Sequence, residues 1–207
     1  MKPRFITLEG GEGVGKTTNL AFMESYLRTR GVDLVRTREP GGTPLGECIR
    51  GLLLDSGTMT GATELLLVFA ARAQHLNEVI RPALAAGQWV LCDRFTDASY
   101  AYQGGGRDLD TKVIGFLEQW VQDGLQPDLT LLLDTPIEIG MSRAKERGVT
   151  DRFESEHLGF FEKVRMAYLD RAEQYPDRIR RVDASGSLEQ VQAGIAVHLE
   201  QLLTRSV

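Results

Sequence analysis

Short apolar stretches alternate with longer stretches of mixed polarity along this chain. The short stretches are rich in apolar and β-branched residues, which is the pattern of buried β-strands. They are residues 4–9, 34–38, 88–93, 129–134 and 179–183. The segments between them predict helices at residues 16–30, 44–54, 63–86, 96–103, 111–122, 158–175 and 188–203, and one more helix that starts at Pro136.

Local signals support several of these helices. Leu20, Met23 and Leu27 recur at the spacing of one helix face. Residues 63–86 are apolar almost all round in their first half, which predicts a buried helix. The three glycines at 104–106 are expected to end the helix that precedes them.

The order of these elements predicts the fold class. Strands that alternate with helices form parallel β-α-β units with right-handed crossovers. Short, apolar strands are typical of a parallel sheet covered on both faces. The sequence contains no internal repeat, low-complexity segment or Pro/Ser-rich linker. We therefore expect one α/β domain over residues 1–207, with a five-stranded parallel sheet between two layers of helices.

Composition and charge narrow the classes of function. The longest apolar run, residues 65–71, is far shorter than the ~20 residues of a membrane span. The first residues lack a secretory apolar core, and two cysteines are too few for a disulfide framework, so we expect a cytoplasmic protein. The net charge is −5, from 24 basic and 29 acidic residues, whereas nucleic-acid binders usually carry a basic excess. A polyanionic ligand must therefore meet a local basic cluster.

A glycine-rich segment between the first predicted strand and helix matches the pattern G-x-x-x-x-G-K-[ST]. We call residues 10–17 the phosphate loop. In such loops backbone N–H groups and the helix dipole face the phosphates, the lysine reaches the terminal phosphates and the following hydroxyl binds Mg²⁺. The motif predicts a fold of the P-loop NTPase type. The predicted ATP-binding residues are Gly10, Gly11, Glu12, Gly13, Val14, Gly15, Lys16, Thr17 and Thr18.

Other nucleotide-binding classes fit the sequence less well. A GTPase switch needs D-x-x-G after an early strand and a later N-K-x-D, but the only D-x-x-G is at 183–186, and N-K-x-D is absent. The Ser-Gly-Gly-Gln signature of ABC-type ATPases is absent too. A dinucleotide fingerprint has a different glycine spacing and no lysine after it.

Charged residues lie at the carboxyl ends of three of the predicted strands. A nucleotide kinase must hold two polyanions in line, which requires fixed arginines, and Arg38 and Arg94 lie at strand ends. The carboxyl ends of parallel strands meet at one edge, beside the phosphate loop. Asp93 and Asp134 also end strands, and either could organise Mg²⁺.

Three further segments, taken together with the phosphate loop, resemble the thymidylate kinase family. They are Arg38-Glu39-Pro40-Gly41-Gly42-Thr43, Asp93-Arg94-Phe95 and Tyr102-Gln103-Gly104-Gly105-Gly106-Arg107, and the resemblance extends over essentially the whole chain. It implies transfer of the γ-phosphoryl group of ATP to dTMP, giving dTDP and ADP for dTTP and DNA synthesis. It also implies Mg²⁺, a mobile lid and a homodimer.

The resemblance assigns roles to individual residues. Arg38 and Arg94 would bind the dTMP phosphate, and Asp93 rather than Asp134 would serve the metal together with Thr17. Glu9 would lie near the metal. The remaining dTMP-binding residues would be Glu12 at the 3′-hydroxyl, Tyr102 near the sugar, and Phe69, Arg72, Ser99 and Gln103 at the base. Judged from its apolar surroundings alone, Phe69 would be a core residue.

A charged segment at 143–156 is the expected lid. In this family a helper arginine lies either in the phosphate loop, where this chain has Gly13, or in the lid. The sequence therefore resembles the bacterial-type arrangement, in which Arg143, Arg147 or Arg152 supplies catalytic charge. The alternative is a solvated charged helix and turn.

Two other functions remain as alternatives at this point. One is a kinase for a different nucleoside or nucleoside monophosphate. The other is a nucleotide-gated binding protein that hydrolyses ATP slowly, and whose hydrolysis would be indifferent to dTMP.

Overall fold

Five short strands pair side by side into one parallel sheet in the described part of the computed structural model, which comprises residues 2–55, 57–146 and 156–204. They are β1 (Phe5–Glu9), β2 (Leu34–Arg38), β3 (Trp89–Asp93), β4 (Leu129–Asp134) and β5 (Ile179–Asp183). Their order across the sheet is β2-β3-β1-β4-β5, with every neighbouring pair parallel. The predicted fold class is confirmed.

Helices connect the strands and cover both faces of the sheet. They are α1 (Lys16–Arg28), α2 (Pro44–Asp55), α3 (Gly61–His75), α4 (Arg81–Ala85), α5 (Thr96–Ser99), α6 (Thr111–Gln122), α7 (Ile137–Glu146), α8 (Leu158–Gln174) and α9 (Leu188–Thr204). Two wider, π-helical stretches occur at Leu76–Ile80 and Tyr100–Gly106. Within the described residues no helix is both long and apolar enough to span a bilayer.

The core lies on both sides of the sheet because successive strand residues point to opposite faces. On β1, Ile6 and Leu8 pack with α1 and α9, whereas Phe5 packs on the other side with Ile80 and Phe95. All of these side chains are nearly inaccessible to solvent. Burial on two faces accounts for the largely apolar sequences of β1, β3 and β4, whereas β2 and β5 lie at the edges of the sheet and carry arginines.

Two predicted helices differ from the structure. The glycines at 104–106 do not end a helix; the chain continues through them as a π-helix. The reason is their packing on α8, because a Cβ atom on Gly105 would lie 2.7 Å from that of Ala167, and one on Gly106 would overlap the Phe160 ring. The predicted helix at 63–86 is divided by a π-helical stretch before Pro82, which has no N–H to continue the α-helical ladder.

The carboxyl ends of β1, β2 and β3 bring three loops together. Arg38 pairs in register with Asp93, which pairs in turn with Leu8 of β1. Backbone hydrogen bonds continue past the strands, from Glu39 N to Asp93 O at 2.8 Å and from Arg94 N to Leu8 O at 3.0 Å. The phosphate loop and the two loops that follow β2 and β3 therefore lie beside one another.

Candidate active site

The phosphate loop joins the end of β1 to the start of α1. Three of its four glycines have positive φ angles, which residues with side chains rarely adopt. Nζ of Lys16 donates to the carbonyl oxygens of Gly10 at 3.0 Å and Gly11 at 2.6 Å. Burial, and then the positive charge of Arg94, lowers the pKa of Lys16 to about 8. A bound anion would relieve this repulsion.

A cleft of about 300 Å³ opens between the phosphate loop and the loops after β2 and β3. The predicted site residues that line it are Glu12, Gly13, Gly15, Lys16, Thr17, Arg72, Asp93, Arg94, Ser99, Tyr102 and Gln103. The described ones that lie outside its lining are Gly10, Gly11, Val14, Thr18, Arg38, Phe69 and Arg143. Residues predicted to bind phosphate and residues predicted to bind the acceptor thus line one cavity.

Arg94 holds the centre of the cleft. Its φ angle of 64° places it in the left-handed region, an unfavourable conformation for a residue with a side chain and one that occurs at functional sites. Its Nη2 lies 2.5 Å from Oε1 of Glu12 and 2.7 Å from the hydroxyl of Tyr102. Burial would raise the pKa of Glu12, but the positive charges of Arg94 and Lys16 outweigh it and lower that pKa. Glu12 is therefore a carboxylate within the cleft.

The residues predicted to bind Mg²⁺ suit that ion. Oδ1 of Asp93 is buried and has no hydrogen-bond partner among the described residues. Asp93 and Thr17 line the same cavity, and carboxylate and hydroxyl oxygens are ligands that Mg²⁺ accepts. The described residues contain no cluster of three or more His, Cys, Asp or Glu side chains that could hold a metal by themselves. This pattern fits an ion held jointly with substrate phosphates.

Asp134 and Glu9 have structural partners. Asp134 accepts hydrogen bonds from Arg165 at 2.6 and 3.0 Å and pairs with Arg181 at 2.8 Å, in contrast to Asp93. Glu9 is fully buried, where it accepts from the backbone N–H of Phe95 at 2.7 Å and bonds Tyr168 at 2.8 Å. Burial, and then the negative charge of Asp97, raises the pKa of Glu9. Glu9 does not line the cleft.

Arg72 forms the floor of the cleft. Its guanidinium donates to Glu39 at 2.7 Å, to the Ser99 hydroxyl at 3.1 Å and to the Phe95 carbonyl at 3.1 Å. It stacks on the rings of Phe69 at 4.6 Å and Phe95 at 5.1 Å. Phe69 is 2% exposed and packs in the core behind Arg72, so its stacking on a base stays a prediction.

Sequence reasoning missed two residues of this site. Glu39 is buried and holds both Arg72 and the Nδ1 of His75, the latter at 2.9 Å. Arg50 lines the cleft, and its pKa is lowered by burial and by the charges of Arg38 and Arg94. The signal for Glu39 was its place in the Arg-Glu-Pro-Gly-Gly motif, whereas Arg50 lies on the helix after that motif and carried no motif signal.

Arg38 occupies the expected strand end but not the cleft wall. Its guanidinium pairs with Glu47 at 2.8 Å, and the side chain is 52% exposed. Because an exposed ion pair contributes little free energy, Arg38 can exchange this partner at small cost.

The predicted lid falls largely outside the described residues, including Arg147 and Arg152. Arg143 is described and lies on α7, where it donates to the carbonyl oxygens of Ala184 at 2.8 Å and Ser185 at 3.3 Å. These contacts join α7 to the loop that follows β5.

The phosphate loop packs directly on the backbone of α7. A Cβ atom on Gly13 would overlap the carbonyl oxygen of Gly140, and one on Gly140 would lie 2.7 Å from the carbonyl oxygen of Glu12. Gly13 also has a positive φ angle of 70°. Position 13 therefore has no room for a side chain, which agrees with the absence of a helper arginine from this loop.

Comparisons with known proteins point in the same direction. The family model described as thymidylate kinase matches residues 8–195. A thymidylate kinase of Chromohalobacter salexigens is 61% identical over 204 residues, covering 97% of this chain and 96% of that protein. One from Ectopseudomonas mendocina is 62% identical over 201 residues, covering 96% of each. The crystal structure of thymidylate kinase from Ehrlichia chaffeensis has a TM-score of 0.79 at 32% identity, covering 97% of this chain and 99% of that one.

Proposed function

The chain belongs to the thymidylate kinase family, and from this premise we propose that its cleft transfers the γ-phosphoryl group of ATP to dTMP, giving dTDP and ADP. It is a nucleoside monophosphate kinase and therefore a phosphotransferase. One observation carries the assignment of the reaction to this cleft. Lys16 and Arg94 both donate to the carbonyl oxygen of Gly10, at 3.0 and 3.5 Å, so two cations converge on one point.

That convergence suits phosphoryl transfer. The transferred group carries charge on its oxygens, and catalysis consists mainly of alignment and charge stabilisation. Lys16 and the loop N–H groups would hold the donor phosphates, while Arg94, Arg50 and Arg38 would hold the acceptor phosphate. Without substrate these cations repel one another, and the phosphates supply the compensating charge.

Mg²⁺ is part of the proposal. Thr17 and Asp93 would hold it, because both line the cleft and a buried oxygen of Asp93 lacks a partner among the described residues. When bound, the ion would neutralise phosphate charge.

We further propose that Arg72, Ser99 and Gln103 contact the acceptor base. Tyr102 would lie near the sugar and Glu12 at the 3′-hydroxyl. The arrangement of Arg72 supports this, because its three fixed partners orient the guanidinium before any ligand binds.

We also propose that Arg143, Arg147 and Arg152 contribute positive charge during phosphoryl transfer. The chain would form a single domain over residues 1–207. A cytoplasmic location and the absence of nucleic-acid binding stay predictions from the sequence.

A homodimer is supported by an apolar stripe on α6. Val113, Phe116 and Trp120 lie on one helix face and are 50%, 68% and 73% exposed, and Leu66 on neighbouring α3 is 60% exposed. Sedimentation should show a dimer for the wild type and a monomer for Trp120→Arg. A monomeric wild-type protein would contradict this part of the proposal.

Coupled measurement of ADP release, with and without dTMP, tests the proposed reaction. We expect release to depend on dTMP, and dTMP to be preferred over dUMP, dCMP, dAMP and thymidine. Arg94→Met should reduce turnover at least about 100-fold, because it removes a fixed phosphate-binding charge. Arg30→Met is the control, since Arg30 follows the far end of α1 and pairs with Glu200. ATP hydrolysis indifferent to dTMP, or preference for another acceptor, would refute the assignment.

A further inference from the structure

A buried carboxylate contacts Gln103 next to the cleft. Glu64, on α3, is inaccessible to solvent, and Nε2 of Gln103 donates to its Oε1 at 2.8 Å. Nη2 of Arg107 lies 3.2 Å from Oε2 of the same carboxylate. We call Gln103, Glu64 and Arg107 the amide cluster. Only Gln103 of these three lines the cleft.

The glycine-rich π-helix positions two members of this cluster, Gln103 within it and Arg107 directly after it. Gln103 and Arg107 are four residues apart, and the backbone N–H of Arg107 donates to the Tyr102 carbonyl at 2.9 Å. The Arg107 guanidinium stacks on the Phe160 ring at 4.7 Å and pairs with Glu156 at 2.6 Å. Arg107 is thereby held against α8 as well as against Glu64.

The chemistry of the partners dictates how the Gln103 amide is oriented. An ionised carboxylate only accepts hydrogen bonds, so Gln103 must turn its NH₂ group toward Glu64. Its carbonyl oxygen and second N–H are then fixed relative to the cleft. Arg107 compensates the buried charge, because an unpaired buried carboxylate would be costly.

We propose that Glu64 and Arg107 are positioning residues that fix the orientation of the Gln103 amide and thereby set the choice of pyrimidine. This inference rests on the proposed function, in which Gln103 meets the acceptor base. Thymine offers an N3–H donor beside an O4 acceptor, whereas cytosine offers an N3 acceptor beside an N4–H donor. An amide fixed in one orientation complements one of these edges, and an amide free to rotate by 180° complements both.

The test compares kcat/KM for dTMP with kcat/KM for dCMP. Glu64→Gln provides a neighbour that donates as well as accepts, so both orientations of Gln103 become possible. Arg107→Met removes the compensating charge. Each variant should lower the ratio of kcat/KM for dTMP to kcat/KM for dCMP at least about tenfold. The reason is that a hydrogen-bonding site rejects the wrong base only when its polar groups are held in place. Arg107→Lys retains a cation and should restore most of the ratio.

A neighbouring ion pair supplies the control. Lys163 of α8 pairs with Asp108 at 2.6 Å, joining the same two segments without touching Glu64 or Gln103. Lys163→Gln should leave the ratio unchanged. Thermal unfolding identifies the variants that fold. If Glu64→Gln does not fold, comparison of Arg107→Lys with Arg107→Met still tests the proposal.

The outcomes separate this inference from the proposed function. A wild-type enzyme that does not prefer dTMP would overturn both. A wild type that prefers dTMP, with variants that lose rate equally toward dTMP and dCMP, would overturn the positioning role alone. An equal ratio for Arg107→Met and Arg107→Lys would also overturn it.

Discussion

Replacement of Arg72 by Met tests how far the floor of the cleft depends on one buried ion pair. Arg72 and Glu39 are 1% and 3% exposed, and the guanidinium Nε lies 2.7 Å from the carboxylate. Met keeps much of the side-chain length and apolar stem but removes the charge and every donor. Glu39 would then retain His75 as its neighbour, at 2.9 Å.

The expected cost follows from this burial. Removing one partner of a buried ion pair costs about 3–5 kcal/mol, because the remaining charge stays desolvated. That is a large share of the roughly 5–15 kcal/mol that stabilises a typical domain. For a chain of this length it corresponds to a fall in Tm of roughly 6–20 °C. Glu39→Gln in the same molecule should recover at least about 2 kcal/mol, since no unpaired charge then remains.

Urea unfolding can measure these differences through the fluorescence of Trp89, which is buried at 2% exposure. Arg30→Met is the matched control, because its exposed pair with Glu200 should contribute little to the free energy of unfolding. Equal losses for Arg72→Met and Arg30→Met would refute the reasoning. So would a double variant with Glu39→Gln that is less stable than Arg72→Met alone.

Three other outcomes are expected. Burial and the charge of Arg94 lower the pKa of Lys16 to about 8, so Lys16 is charged below that pH and neutral above it, and ATP affinity should fall between pH 7 and 10. Titration calorimetry should show this fall for the wild type and an ATP affinity independent of pH for Lys16→Met. A wild-type affinity that is independent of pH would contradict the prediction. Gly140→Ala places a Cβ atom 2.7 Å from a phosphate-loop carbonyl and should reduce ATP affinity at least about tenfold, whereas Gly51→Ala, with no atom closer than 3.8 Å, should not. Arg152→Ala should lower turnover at least about tenfold, and wild-type turnover would count against that lid arginine.

Much of the architecture was predictable from local sequence pattern. The bounds of β2, β4, β5 and α6 match the prediction because each combines a clear hydrophobic pattern with adjacent stop signals. The phosphate loop was predictable because its chemistry depends on backbone conformation, which contiguous glycines specify. In a parallel sheet the carboxyl ends of the strands meet at one edge, so Arg38 and Arg94 could be expected there, whereas the order of the strands was not predicted.

The family resemblance favoured Asp93 over Asp134 for the metal, but only the tertiary structure gives a physical reason to separate these two strand-end aspartates. Asp93 and Asp134 look alike in sequence, but Arg165 reaches Asp134 from 31 positions away, while a buried oxygen of Asp93 has no partner among the described residues. The same holds for Glu39 and Arg72, 33 positions apart, which no local pattern joins. Local backbone preferences depend on a few neighbouring residues, so they can be predicted from the sequence. The pairing of buried charges depends on which side chains packing brings within about 3 Å, and packing is decided by the whole fold.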